Sequence, residues 1–178
     1  MYTFSPSFSR FLVQIEADND SKKYICDILK LLDDKFELHL FNSILKRYSI
    51  QKIEDIKFES LDLLIAYTDF ILKDNIISEA EIQNFSILKR VFRIKEGDFI
   101  KFKRFEVNEI VKKEFMRIYS DNLIDGNEQL LNLNLQSLFD LSYDEFEHIK
   151  KDEVIFSMRQ GADPKDLDIA KIPVEFKS

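Results

Sequence analysis

The sequence predicts an all-α helical bundle, and three observations support this fold class. Glycine and proline, the residues that interrupt helices, occur only three times each in 178 residues. Hydrophobic residues make up 45 % of the chain and recur at the spacing of helical faces. A break between helices with the pattern Asp-Asn-[Ile/Leu]-Ile occurs twice. We therefore predict seven to nine helices and no sheet.

Apolar residues spaced three and four apart predict the helices of the first half of the chain. The expected segments are 8–16, 21–32, 35–48 and, as a short turn or helix, 49–57. The buried face of the third segment is predicted to hold Phe36, Leu40, Ile44 and Leu45. Residues 60–73 are apolar on nearly every side, which is typical of a helix at the centre of a bundle.

The second half of the chain is predicted to contain longer helices. A helix over 78–92 is followed by a short one from about residue 96, which merges with or bends into a long helix ending near residue 120. Further helices are expected over 125–139, 143–150 and 151–160, with Gly161 ending the last of them. Residues 1–161 form one predicted domain, and residues 162–178, which contain two prolines, form a predicted tail.

The chain carries an internal repeat with a period of 47 residues. Residues 74–99 align with 121–146 without a gap, and seven of the 26 positions are identical: Asp74/Asp121, Asn75/Asn122, Ile77/Ile124, Glu81/Glu128, Leu88/Leu135, Phe92/Phe139 and Phe99/Phe146. The pentapeptide 43–47 also reappears word for word at 86–90, which suggests a third, degenerate copy.

The two corners between helices, 74–81 and 121–128, have a structural and a functional interpretation. In the structural one, Ser78 with Glu81, and Asp125 with Glu128, are capping boxes that satisfy the first amides of a helix. In the functional one, the carboxylates bind Ca²⁺ or Mg²⁺ together with carbonyl oxygens. The candidate ligands are Asp74 and Glu81 in the first corner and Asp121, Asp125 and Glu128 in the second. The capping box does not require Asp74 or Asp121, and a cation is expected at the second corner before the first.

The corners and their flanking helices resemble the TerB-like domain, a helical domain associated with tellurite resistance. The matching runs are 66–81 and 118–128, and residues 138–146 resemble the closing helix of that family. The family pattern is an apolar helix ending in Ala-x-Ala-Asp-Gly, followed by x-Ile-x-x-x-Glu; here asparagine replaces the glycine in both corners. The resemblance covers about 58–150, as repeats of 58–103 and 105–150. It implies a duplicated helical bundle and a stress-linked, metal-binding interaction module rather than an enzyme.

Composition restricts the remaining function classes. The single cysteine, Cys26, excludes an internal disulfide and a cysteine-based zinc site. No apolar run approaches the roughly 18 residues of a membrane span, and the patch Phe11–Val13 is too short for a secretion signal. We therefore expect a cytoplasmic protein. The net charge of −7 disfavours nucleic acid as a partner.

One basic segment, residues 89–117, departs from this acidic balance with ten Lys/Arg against five Asp/Glu. It is either a docking face for an acidic partner, anionic lipid or nucleic acid, or the polar face of a long helix. The second interpretation is favoured because the interleaved aromatic residues have the spacing of a buried face: Phe92, Phe99, Phe102 and Phe105. The two histidines, His39 and His148, lie in separate predicted helices as surface residues, and no nucleophile elbow accompanies them.

The sequence thus predicts a non-enzymatic, TerB-like binding module with a protein partner and a divalent-cation site at the corners. The alternative is an interaction or scaffold protein that uses the basic helical face or the acidic C-terminal tail without metal.

Overall fold

The computed structural model describes residues 4–18, 22–74, 76–118 and 126–161, and this part of the chain is all-α as predicted. It contains eight α-helices and two short 3₁₀ turns, and none of it forms a strand. The chain divides into two compact units, Met1–Glu96 (unit 1) and Gly97–Ser178 (unit 2). That residues 1–161 form a single domain stays a prediction. The predicted tail, residues 162–178, lies outside the described residues.

The described residues of unit 1 form five α-helices: α1 (Pro6–Ala17), α2 (Lys23–Asp34), α3 (Leu38–Arg47), α4 (Lys57–Ile71) and α5 (Glu79–Val91). A 3₁₀ turn, Ile53–Ile56, leads into α4, and a second one, Leu72–Asp74, follows it. Helix α1 packs on α2, α4 and α5, while α2 also packs on α3. Several large side chains are fully buried in this core, among them Phe8, Phe11, Leu64, Tyr67 and Phe85.

Unit 2 contains α6 (Asp98–Ile118), α7 (Gly126–Leu138) and α8 (Tyr143–Arg159). Helix α6 packs on α8 and bends at Lys103, whose φ of −138° and ψ of 30° are not helical. This bend confirms the prediction that a short helix merges with a longer one. The two helices predicted over 143–160 are a single helix, and Gly161 follows it with φ of 100°, as expected of a residue just beyond a helix.

The aligned segments share helix bounds and local backbone geometry. Each bound of α7 lies 47 residues after the matching bound of α5. Each helix is followed by a residue with positive φ, Arg93 at 51° and Asp140 at 52°. The amide of the following residue then donates a hydrogen bond to a carbonyl in the last turn of the helix. Ile94 donates to Lys89 in this way, and Leu141 donates to Gln136. Duplication of the whole unit stays a prediction.

Two details predicted for α3 are wrong, namely the burial of Leu40 and the residue at which the helix begins. Leu40 is 42 % exposed, and its neighbour Phe41 is buried instead. Helix α3 begins at Leu38 rather than near residue 35, and its inward face is Phe41, Ile44 and Leu45. Within the described ranges, no helix has both the length and the hydrophobicity needed to cross a bilayer.

Candidate functional site

The first corner is held by a capping box at the start of α5. The Ser78 amide and hydroxyl donate to Oε2 of Glu81, at 2.9 and 2.7 Å. The Glu81 amide donates back to Ser78 Oγ at 3.3 Å. Glu81 is only 8 % exposed, so its carboxylate is used to organise the helix end. The side chains of Asp74 and Asn75 are not among those that the structure describes.

The second corner lies mostly outside the described residues. Asp121 and Asp125 fall in the gap that precedes α7, and nothing is described of the Glu128 side chain. Helix α7 begins at Gly126, so Glu128 is its third residue, as Glu81 is in α5. Among the residues whose side chains are described, no group of three or more His, Cys, Asp or Glu could hold a metal ion.

Several cations of the basic segment are paired with neighbouring carboxylates. Ion pairs join Lys103 to Glu106, Arg104 to Glu145, Lys112 to Glu109, Arg117 to Glu114 and Arg93 to Glu54. Of the aromatic residues in this segment, Phe92 and Phe99 are fully buried and Phe102 is half-buried. Phe105 is 73 % exposed, so the prediction that it is buried is wrong.

The two histidines lie at the surface, as the sequence predicts. His39 and His148 are both exposed, on α3 and α8. Cys26 is half-buried, and burial raises the pKa of its thiol. A raised pKa reduces the thiolate fraction at neutral pH, so Cys26 is a poor nucleophile.

A buried polar network lies beneath the first corner and was not predicted. The Asn84 side-chain amide donates to Tyr67 Oη at 2.9 Å and to Ser5 Oγ at 2.8 Å. Its carbonyl accepts from the Ser5 amide at 3.2 Å. The Tyr67 hydroxyl is also hydrogen-bonded to Ser7, and burial raises the pKa of Tyr67 to about 12. The network ties the start of α1 to α4 and α5, which is a structural role.

An open groove in unit 1 is the second feature that the sequence did not indicate. This α3–α5 groove lies between α3, the turn Ile53–Ile56 and the C-terminal end of α5, and has a volume of about 330 Å³. Its apolar lining is Phe36, Leu38, Phe41, Leu45, Ile53 and Val91. The volume lies at the lower end of the range of small-ligand sites, about 300–1,000 Å³. Its residues come from three elements, so no linear motif could reveal it.

The polar lining gives the α3–α5 groove a positive rim. It consists of Asn42, Gln51, Lys52, Glu54, Arg90 and Arg93. Arg93 Nη1 donates to Glu54 Oε1 at 2.8 Å, and this hydrogen bond lowers the pKa of Glu54. Lys52 lies 4.0 Å from Asp55. Arg90 has no ion-pair partner in the part of the chain that the structure describes.

Comparisons with known proteins add no further assignment. No family model matches the chain, and no curated protein or solved structure is significantly similar to it.

Proposed function

We propose that this chain is a non-enzymatic protein-binding module, and that the α3–α5 groove binds a short apolar segment of another protein. One observation carries the proposal: an apolar groove is left open beside a positively charged rim in a chain of net charge −7. Asn42 and Gln51 add exposed amides that can bond to a partner's backbone. Apolar walls with a few placed polar groups are typical of binding sites. We propose that the module acts in the cytoplasm, consistent with a lone cysteine.

Selection of peptides from a displayed library of random short sequences tests this proposal. We expect enriched peptides to bind the full chain and to lose at least about tenfold in affinity when Leu38 is replaced by aspartate, because the new carboxylate must be desolvated against apolar side chains. Leu38 is 65 % exposed and lines the groove.

Leu40→Asp is the matched control. Leu40 is on the same helix and is also exposed, but it does not line the groove. Equal losses of affinity in the two variants, or a library that yields no peptide sensitive to Leu38→Asp, would refute the groove as the binding surface.

A divalent-cation site at the second corner is a second candidate function. The number of carboxylates supports it, because the second corner offers Asp121, Asp125 and Glu128, whereas the first offers Asp74 and Glu81. The resemblance to TerB-like domains points the same way. Since Glu81 is used for capping, the first corner has fewer oxygen ligands to offer.

Calcium and magnesium titrations of the full chain test this second candidate. We expect Ca²⁺ to raise the melting temperature, since a ligand that binds the folded state stabilises it by mass action. Asp121→Ala should abolish the shift, and Asp74→Ala at the first corner should preserve it. A melting temperature that does not respond to either cation removes the cation from the proposed function.

A further inference from the structure

We infer that the partner segment bound in the α3–α5 groove carries a carboxylate that pairs with Arg90. The inference rests on the proposed function and names the chemistry of the partner. It depends on which cations of the rim are already paired with carboxylates of unit 1.

Among the described residues, Arg90 is the cation of the rim for which no ion pair is found. Arg93 is held by Glu54 at 2.8 Å and Lys52 lies beside Asp55, so both are partly neutralised within unit 1. Arg90 is exposed, lies in the last turn of α5 and makes no ion pair with a described residue. Breaking an existing pair would oppose binding, whereas Arg90 can take a new partner at no such cost.

The position of Arg90 favours a carboxylate that accompanies apolar side chains. Its neighbour Val91 belongs to the apolar lining, so an anion bound to Arg90 lies at the edge of the apolar surface. Guanidinium binds carboxylate through two parallel hydrogen bonds, which fixes direction as well as charge. A segment with apolar anchors and an adjacent Asp or Glu therefore matches both parts of the groove.

A phosphorylated segment matches the rim less well. A phosphate carries a charge of about −1.5 to −2 and is typically bound by a cluster of arginines. With Arg93 held by Glu54, Arg90 is the one guanidinium of the rim that has no ion pair with the residues the structure describes. Glu54 itself would repel a second negative charge placed near Arg93.

The test uses acidic peptides enriched on the full chain and pairs a peptide change with a protein change. Replacing the peptide's Asp or Glu by Asn or Gln should weaken binding to the unmodified chain about tenfold. The same replacement should have little effect on Arg90→Gln, because the partner of the carboxylate is already gone. Arg90→Lys should restore part of the affinity, and binding should weaken with added salt.

Lys46→Gln serves as the matched control. Lys46 is an exposed cation on α3 that does not line the groove, so its removal should leave the peptide affinity and the effect of the peptide change as they are. Circular dichroism of each variant checks that α5 remains folded.

The outcomes separate the inference from the proposed function. The inference is overturned if the enriched peptides lack carboxylates. It is also overturned if the peptide change weakens binding equally to the unmodified chain and to Arg90→Gln. In either case, sensitivity of binding to Leu38→Asp would still support the groove as the binding surface. Tighter binding of a phosphoserine version than of the Glu version overturns it in favour of phosphopeptides. Insensitivity to Leu38→Asp removes the proposed function itself.

Discussion

Replacing Asn84 with leucine should lower the free energy of unfolding by about 2–3 kcal/mol. Asn84 is 1 % exposed and takes part in three hydrogen bonds, two to Ser5 and one to Tyr67. Each such bond contributes about 1 kcal/mol net, and a buried group left without a partner costs more than that. Leucine leaves the Ser5 amide unpaired in a part-buried position, and its better helix propensity offsets only a few tenths of a kcal/mol.

Leucine is an informative replacement because the aligned segment 121–146 carries a leucine at the matching position. Leu131 lies 47 residues after Asn84 and is buried in α7. The residue that matches Tyr67 is Glu114, which is bound by Arg117 at 2.7 Å. Leucine is similar in size to asparagine and occurs at the aligned buried position of α7. The loss of stability therefore measures the missing hydrogen bonds.

Urea denaturation followed by circular dichroism measures this loss. Gln83→Leu, an exposed change one residue away on the same helix, should stay within about 0.5 kcal/mol of the unmodified protein. Ser5→Ala combined with Asn84→Leu should cost less than the sum of the single changes, because both remove one interaction. A loss below about 1 kcal/mol for Asn84→Leu, or full additivity, would show that the network does not anchor α1.

The helices were predictable because their signals are local. In the described residues, apolar spacing of three and four residues located most of the eight helices, and all-round apolarity located α4, while α8 was expected as two helices. The scarcity of glycine and proline indicated how few breaks to expect. The capping box at Ser78 and Glu81 was predicted from four adjacent positions and is formed as expected. The helix stop at Gly161 is local in the same way, since it depends on one left-handed residue.

The buried polar network was not predictable because its partners are distant in sequence. Asn84 lies on the inward face of α5 between apolar residues, and its partners are 17 and 79 positions away. The face of a helix follows from periodicity, but the partner of a polar residue on that face follows from tertiary packing. Leu40 was misplaced for a related reason. Because α3 begins at Leu38, Phe36 lies outside the helix and does not share a helical face with Leu40, and Phe41 packs inward with Ile44 and Leu45 instead.

The candidate sites were the least predictable part of the molecule. Charge counting identified residues 89–117 as basic, but it could not show that several of these cations, including Arg93, Lys103 and Arg104, lie next to a carboxylate. The exposed ring of Phe105 and the free guanidinium of Arg90 emerge only when each residue's neighbours are known. The α3–α5 groove likewise requires three elements to meet.

Stability should also fall steeply at alkaline pH, and Tyr67 should account for much of the change. Burial raises the pKa of Tyr67 from its ordinary value of 10.0 to about 12 in the folded protein. The folded state therefore holds the phenolic proton more tightly than the unfolded state. The stabilisation is fully present below pH 10 and is lost as pH rises through about 12.

The expected size of the effect follows from the shift in pKa. One pKa unit corresponds to about 1.4 kcal/mol, so Tyr67 should contribute on the order of 2–3 kcal/mol to the loss across this range. Tyr67→Phe should be about 1 kcal/mol less stable near neutral pH, because the hydroxyl's hydrogen bonds to Asn84 and Ser7 are missing. Its stability should nevertheless decline less steeply above pH 10.

Tyr24→Phe is the comparison variant, and the stability of both variants is measured by urea denaturation from pH 8 to pH 12. Burial and a hydrogen bond to Glu59 also raise the pKa of Tyr24 to about 12. Tyr24 is only half-buried, so solvent screens its ionised form and its share of the alkaline loss should be smaller. If Tyr24→Phe flattens the decline more than Tyr67→Phe does, the alkaline transition does not originate in the buried network. The same result would mean that the Tyr67 hydroxyl is more accessible to water than its full burial indicates.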